Sequence, residues 1–252
     1  MKTISIFTQK GGVGKTISTI NIAYTLVKQH EKRVLIIDND KQGNTSQFFN
    51  VHSYEEKSIS DLLTNHKLTI QEVIKKTNYE GLDIIPANMN LIRTNKELLL
   101  DTSRPQQTRL KKHLEAVWND YDYCIIDNAP DLTMSVINAL VATNDVITPV
   151  SADKFAFDGL DFMIDQLEEI KEFNENIQFR GCFITRFSKN NLNRDSKDYF
   201  RSEYQMFQTH IRNTVKVGET SYTQMPLLDY SPNCTAAKDY VSLVAELLEM
   251  YQ

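Results

Sequence analysis

Several protein classes are excluded by what this sequence lacks. Its three cysteines, Cys124, Cys182 and Cys234, stand more than fifty residues apart with no CxxC pair, which gives neither a disulfide framework nor a zinc-binding spacing. No apolar run approaches the ~18 residues of a membrane span. The opening MKTISIFTQKGG leads directly into a strand and a glycine loop, so a cytoplasmic chain with neither a cleaved targeting segment nor an N-terminal helix-turn-helix is expected. Positive charge is not in excess either: 28 Lys and Arg face 33 Asp and Glu, a formal charge of −5. A nucleic-acid surface would therefore have to be a local basic patch. There is no internal repeat, and the six prolines are scattered at loop-like positions. His30, His52, His66, His113 and His210 share no metal-type spacing and read as structural or exposed, and the single tryptophan, Trp118, reads as a core residue.

What remains is ordinary globular material, 252 residues at 41% hydrophobic and 24% charged, enough for one large domain with a substantial core. Short runs rich in Ile, Val and Phe alternate with stretches of helical period. That pattern predicts an α/β fold, a doubly wound, mostly parallel sheet with helices on both faces. Strands are expected at 4–8, 33–38, 82–86, 123–127, 145–149 and 178–185, and helices at 15–29, 91–100, 107–118, 159–173, 195–208 and 235–251. The chain reads as a single domain, 1–252, with 47–80 as a small helical insertion on the sheet edge. The closing helix should bury Val241, Val244, Leu248 and Tyr251. After Lys238 it has no cation for a membrane-facing polar side.

Lys10-Gly11-Gly12-Val13-Gly14-Lys15-Thr16 lies between a strand and a helical pattern, the context a phosphate-binding loop requires. Its glycines let consecutive N–H groups and the following helix N-terminus point at phosphate oxygens. Gly11 to Ile17 would line the nucleotide, Lys15 would bridge the β and γ phosphates, and the Thr16 hydroxyl would ligate Mg²⁺. Gln9 stands where the usual pattern has its first glycine, and Lys10 adds a cation able to stabilise charge developing on a γ-phosphoryl group.

Two apolar strands end in acid. Arg33-Val-Leu-Ile-Ile-Asp38 runs on into Asn39-Asp40-Lys41-Gln42-Gly43-Asn44, and Tyr123-Cys-Ile-Ile-Asp127 runs on into Asn128-Ala129-Pro130. Carboxylates at strand ends beside a phosphate loop suit the metal shell and the attacking water.

QKGGVGKT resembles the deviant Walker A box of the ParA/MinD family of ATPases, with Lys10 as the signature lysine. The segment after Asp38 resembles that family's D-x-D-P-Q-G-N motif, with Lys41 for proline, and Asp127 to Pro130 resembles Walker B followed by D-x-P-P, with Ala129 for the first proline. Residues 82–88, 211–219 and 229–240 resemble further family segments. The resemblance implies that Asp40 positions the hydrolytic water, that Asp38 assists near the metal, and that Asp127 holds Mg²⁺ through a water. It implies ATP and Mg²⁺ as cofactors and an ATP-dependent homodimer. It further implies partition of plasmid or chromosomal DNA, nonspecific DNA binding, stimulation by a ParB-type centromere-binding protein, and a nucleoid-associated location without membrane binding. The adenine is expected near Thr185 and Arg186 and around 225–228.

From Arg180 to Lys216 eight cations face three acids. Arg194, Lys197 and Arg201 share a helical stripe about a quarter turn from Phe200, Tyr204 and Phe207, whose spacing is that of a buried face. With Arg186, Lys189, Arg212 and Lys216 they form the candidate DNA surface, binding phosphates rather than bases. Arg212 and Lys216, inside the late family-like segment, are the first choices. The alternatives are a MinD-like membrane-associated positioning ATPase and a biosynthetic or reductase enzyme on the same fold. Cluster chemistry would want a cysteine after Asp127, where Asn128-Ala129-Pro130 stands, and a tyrosine autokinase would want a tyrosine-rich tail.

Overall fold

The computed structural model of the chain describes residues 1–152 and 155–251. β1 (Lys2–Ile6) leads through a loop to α1 (Lys15–His30), followed by β2 (Val34–Asn39), α2 (Asn44–Phe48), α3 (Ile59–Thr64), a 3-10 turn, β3 (Lys75–Lys76) and β4 (Leu82–Ile85). Then come α4 (Leu91–Leu100), α5 (Arg109–Glu115), β5 (Tyr123–Asn128), α6 (Met134–Val141), β6 (Asp145–Val150), α7 (Phe155–Ile170) and β7 (Gln178–Ile184). The chain continues through α8 (Asn191–Glu203), α9 (Val215–Thr223), α10 (Leu227–Tyr230) and α11 (Thr235–Glu249).

The seven strands form one sheet in the order β3-β4-β2-β5-β1-β6-β7. Every pairing is parallel except β3 on β4. Strands buried on both faces read as continuous apolar runs. Alternate side chains divide them: Ile4, Ile36 and Ile125 pack under α1 and α11, while Leu35, Ile37 and Ile126 pack under α3 to α6. A third cluster joins β6 and β7 to α6, α7 and α8. The doubly wound sheet predicted from the sequence is the fold found. β1 lies between β5 and β6, and ligands of such sheets bind at the carboxyl ends of the strands beside this kind of crossover.

Several sequence expectations need correction. The helix expected over 195–208 ends at Glu203, and Tyr204 is extended. Beyond it the chain runs alongside β7, with the Phe207 amide donating to the Cys182 carbonyl. Phe207 therefore enters the core from an extended segment, and the helical face is carried by Asn193, Ser196 and Phe200. In α11 the buried stripe is Tyr240, Leu243, Val244 and Leu247, turned about one residue from the expected face because Tyr240 packs its hydroxyl 3.1 Å from Ser18 on α1. Trp118, expected in the core, is 44% exposed in the turn after α5, where its carbonyl accepts from the N-terminal ammonium. Four helices, α2, α6, α9 and α10, fall outside the expected pattern. α6 is apolar almost all round, and α9 carries four β-branched residues and a glycine, weak helix formers.

Candidate nucleotide site

The phosphate loop connects β1 to α1 at the centre of the sheet's carboxyl edge. Gly12 and Gly14 take left-handed φ values of 75° and 91°, which turn the backbone back over the helix end without a Cβ penalty. No side chain caps α1 and its first turn has no acid, so its N-terminal N–H groups and dipole face the loop's concavity. The Thr185 hydroxyl donates to the Val13 carbonyl at 2.8 Å, tying the loop to the end of β7.

Lys15 is buried, and its Nζ donates to the carbonyls of Thr8 and Lys10, both at 3.1 Å. Burial lowers its pKa, against the pull of Asp127, Asp40 and Asp131, which favour the ammonium. These two carbonyls thus fix the ammonium inside the loop. Lys10 is half-buried and its backbone N–H donates to the Thr8 hydroxyl.

Asp38 and Asp127 stand opposite each other on β2 and β5, in register and fully buried. Burial and the charge of Asp127 raise the Asp38 pKa, and the Ser46 and Asp40 donors oppose the shift. Burial likewise raises that of Asp127, against the hydroxyls of Thr45 and Thr16. The two carboxylates differ in their partners. Asp38 accepts from the Ser46 hydroxyl at 2.6 Å, the Ser46 amide at 2.8 Å and the Asp40 amide at 3.2 Å, so both its oxygens hold the β2–α2 loop. Asp127 accepts from the Thr45 hydroxyl at 2.6 Å through one oxygen, while the other is buried with no hydrogen-bond partner among the described residues. An unpartnered buried carboxylate oxygen near the Thr16 hydroxyl is a hard donor set that fits Mg²⁺. Asp38, expected beside the metal, is by its contacts an anchor for the loop that presents Asp40.

Asp40 is half-buried at the mouth of the phosphate cavity, accepting from the Gln42 amide at 3.0 Å. Gly43 closes the loop at φ 62°, and a Cβ there would lie 2.7 Å from the Ala87 carbonyl oxygen. Lys41, at the family's proline position, approaches Asp131 on the β5–α6 loop at 3.8 Å.

Gly12, Lys15, Thr16, Asp40, Pro130 and Arg186 border a cavity of 280 Å³. It shares Gly14, Ile17 and Arg186 with a second cavity of 480 Å³ walled by Val13, Thr185, Ile211, Val217 and Tyr240. Side by side they have the shape of a phosphate seat with an apolar room for a base and sugar. Thr185 and Arg186 line the larger cavity, together with the 211–218 segment, whereas Leu227 is buried with its amide donating to Asn21 on α1. The hydroxyl run Thr45-Ser46 after an acid-ended strand is the sequence signal for the residues that anchor Asp38 and Asp127.

The basic residues are divided. Arg212 is bound to Asp239, with Nη2 at 2.6 Å and Nε at 3.0 Å, and it lines the larger cavity. Lys216 donates to Glu219 at 2.7 Å. Lys197 turns inward, its Nζ 3.0 Å from His210 Nδ1 and over the Phe187 ring. Arg201 donates to Gln208 Oε1 at 2.7 Å. Arg186, Lys189 and Arg194 are exposed, and among the described residues they have no carboxylate partner.

Comparison with known proteins agrees with this geometry. A family profile described as an AAA domain matches residues 1–179. The chain is 34% identical over 253 residues to the sporulation initiation inhibitor protein Soj of Bacillus subtilis, covering 98% of each chain. A solved structure from Borrelia burgdorferi B31, described as a plasmid partition protein bound to AMPPNP, is 26% identical with a TM-score of 0.78 over 99% of this chain and 98% of that one. Cobyrinic acid a,c-diamide synthase from Mycobacterium smegmatis, with ATP analog and magnesium bound, has a TM-score of 0.85 over 100% and 96% of the two chains at 23% identity, a likeness of fold alone. With the deviant phosphate loop, its acid-ended strands and a relative matched end to end, the chain belongs to the ParA/MinD-type P-loop ATPase family, of which Soj is a member.

Proposed function

We propose that this chain is a DNA partition ATPase that binds ATP with Mg²⁺, dimerises on it, holds DNA without reading sequence, and resets by hydrolysis. One observation carries the reading: the buried Lys15 ammonium lines a phosphate-sized cavity that shares Gly14, Ile17 and Arg186 with a base-sized one, and the buried Asp127 carboxylate stands behind Thr16 at its edge. AMPPNP on a partition protein sharing the fold at 26% identity supports ATP as the nucleotide.

The residues divide the work. Main-chain amides from Gly11 to Ile17 and the Lys15 ammonium bind the phosphates. Thr16 and Asp127 would hold Mg²⁺, which neutralises phosphate charge when bound. Asp40, poised by Asp38 and Ser46, orients the attacking water and accepts its proton. Lys10 of each subunit reaches the other's γ-phosphate, as the deviant loop implies.

DNA contact is assigned first to Lys189 and Arg194, then to Arg186 and Arg201. Arg212, Lys216 and Lys197 are held by Asp239, Glu219 and His210, and a cation already paired gains less from a phosphate. A ParB-type centromere-binding protein is the stimulating partner, at the nucleoid in the cytoplasm. Among the described residues no helix is long and apolar enough to cross a membrane, and the last turn of α11 has no basic residue to favour a membrane surface. The test is a DNA titration with ATP, ADP and no nucleotide at two salt concentrations. ATP-dependent binding that weakens steeply with salt supports the reading; equal binding in all three states refutes the switch.

A further inference from the structure

The residues following Asp38 and Asp127 are both asparagines. Side chains alternate across a strand, so Asn39 and Asn128 lie on the face of the sheet away from their aspartates. They are paired in register on β2 and β5 and wholly buried. Asn39 Nδ2 donates to Asn128 Oδ1 at 2.9 Å and to the Ser135 carbonyl at 3.1 Å, and the Ala129 amide donates to the Asn39 carbonyl at 3.2 Å. The Ser135 amide in turn donates to Asn95 Oδ1 on α4 at 2.7 Å. A polar chain thus crosses from the β2–α2 loop to the β5–α6 loop and on into two helices.

The remaining atoms of the pair, Asn39 Oδ1 and Asn128 Nδ2, are buried without a partner among the described residues. A buried acceptor and a buried donor left unmade are unfavourable, and two apolar side chains of similar size would fill the same space without them. Stability alone would favour two apolar side chains here over this pair.

We infer that Asn39 and Asn128 are positioning residues that yoke the loop carrying Asp40 to the strand end carrying Asp127. The water-orienting carboxylate and the metal-side carboxylate then move as one unit when the nucleotide changes. The exposed Lys41–Asp131 approach at 3.8 Å is a second, weaker tie between the same loops. The inference rests on the ATPase reading above.

The experiment uses the full chain with ATP and Mg²⁺, measuring kcat, KM, nucleotide affinity and urea unfolding. The variants are Asn39→Ala, Asn128→Ala, their double, and the double Asn39→Leu/Asn128→Leu. In the alanine cycle each single variant should lower kcat by roughly tenfold, the size of coupling a side-chain network carries. The double should lose no more than either single, with nucleotide affinity unchanged. The double leucine variant should unfold at or above the wild-type urea midpoint and still be slow, which a purely structural role does not produce. Wild-type kcat in the alanine variants, or losses that multiply in the double, overturns the inference; if the leucine variant does not fold, the alanine cycle decides alone. A wild-type chain that does not hydrolyse ATP overturns the proposed function instead, and with it this inference.

Discussion

Gly43→Ala adds a methyl where the molecule has no room for one. The residue sits at φ 62°, and the new Cβ would lie 2.7 Å from the Ala87 carbonyl oxygen and 2.7 Å from His52 Cδ2. The left-handed backbone costs an L residue about 1–2 kcal/mol, and overpacking adds about 1–3 kcal/mol. A total loss of about 2–5 kcal/mol follows, since Ala87 is backbone of the segment after β4 and has no rotamer by which to withdraw. Gly12→Ala is the control: φ is 75° but no atom of the described residues lies within 4 Å of its Cβ position, so only the ~1–2 kcal/mol conformational part applies. With a urea m-value of ~2–3 kcal/mol/M, the Gly43 midpoint should fall by on the order of 1–2 M and the Gly12 midpoint by clearly less. Nucleotide binding should reverse the order. The Gly12 methyl enters the phosphate seat and removes affinity, whereas folded Gly43 variant keeps it. Equal midpoints in the two variants would refute the steric argument, and full ATP affinity in Gly12→Ala would refute the loop's assigned role.

Lys15→Ala should abolish ATP binding while the chain stays folded, checked by equilibrium dialysis and circular dichroism, since among the described residues the ammonium's hydrogen bonds go to two loop carbonyls. Asp40→Ala should bind ATP and remain dimeric but hydrolyse it ~10²–10⁴-fold more slowly, read by phosphate release and sedimentation. Charge reversal at Lys189 or Arg194 should weaken DNA retention and lower the salt slope by about 1 per phosphate contact. Arg212→Glu should instead reduce stability, because Asp239 loses its partner and meets a like charge. For pH, the raised Asp38 and Asp127 carboxylates bind protons in the folded chain that the unfolded chain has released. Nucleotide-free stability should therefore fall as pH rises from about 5 to about 8, and the slope of the urea midpoint should be shallower in Asp38→Asn.

The legible part of the site was what lies close together along the chain. Lys10 to Thr16 is contiguous, and its glycines announce the turn. Asp38 and Asp127 each end an apolar strand, so period and position sufficed to find them. The walls of the larger cavity were less legible, because its 211–218 side joins Val13 and Thr185 from segments far off in sequence. Arg212 and Lys216 were chosen by local motif, but their charge is decided by Asp239 on α11 and by Glu219. The helix read over 195–208 went wrong at Tyr204 for the same reason: backbone pairing of 205–207 with β7 outweighs local periodicity.

Hydrophobic period and glycine placement are properties of neighbouring residues, and they determined the alternating strands and helices, the doubly wound sheet and the phosphate loop before any coordinate was known. Partnership between distant side chains was decided only by the tertiary structure. It leaves one oxygen of Asp127 without a partner while both of Asp38 hold a loop, and it links Asn39 to Asn128 across 89 positions of sequence. A hydrogen bond or ion pair needs its two groups within about 3 Å, and for these groups only the packing of the sheet and its helices sets that distance.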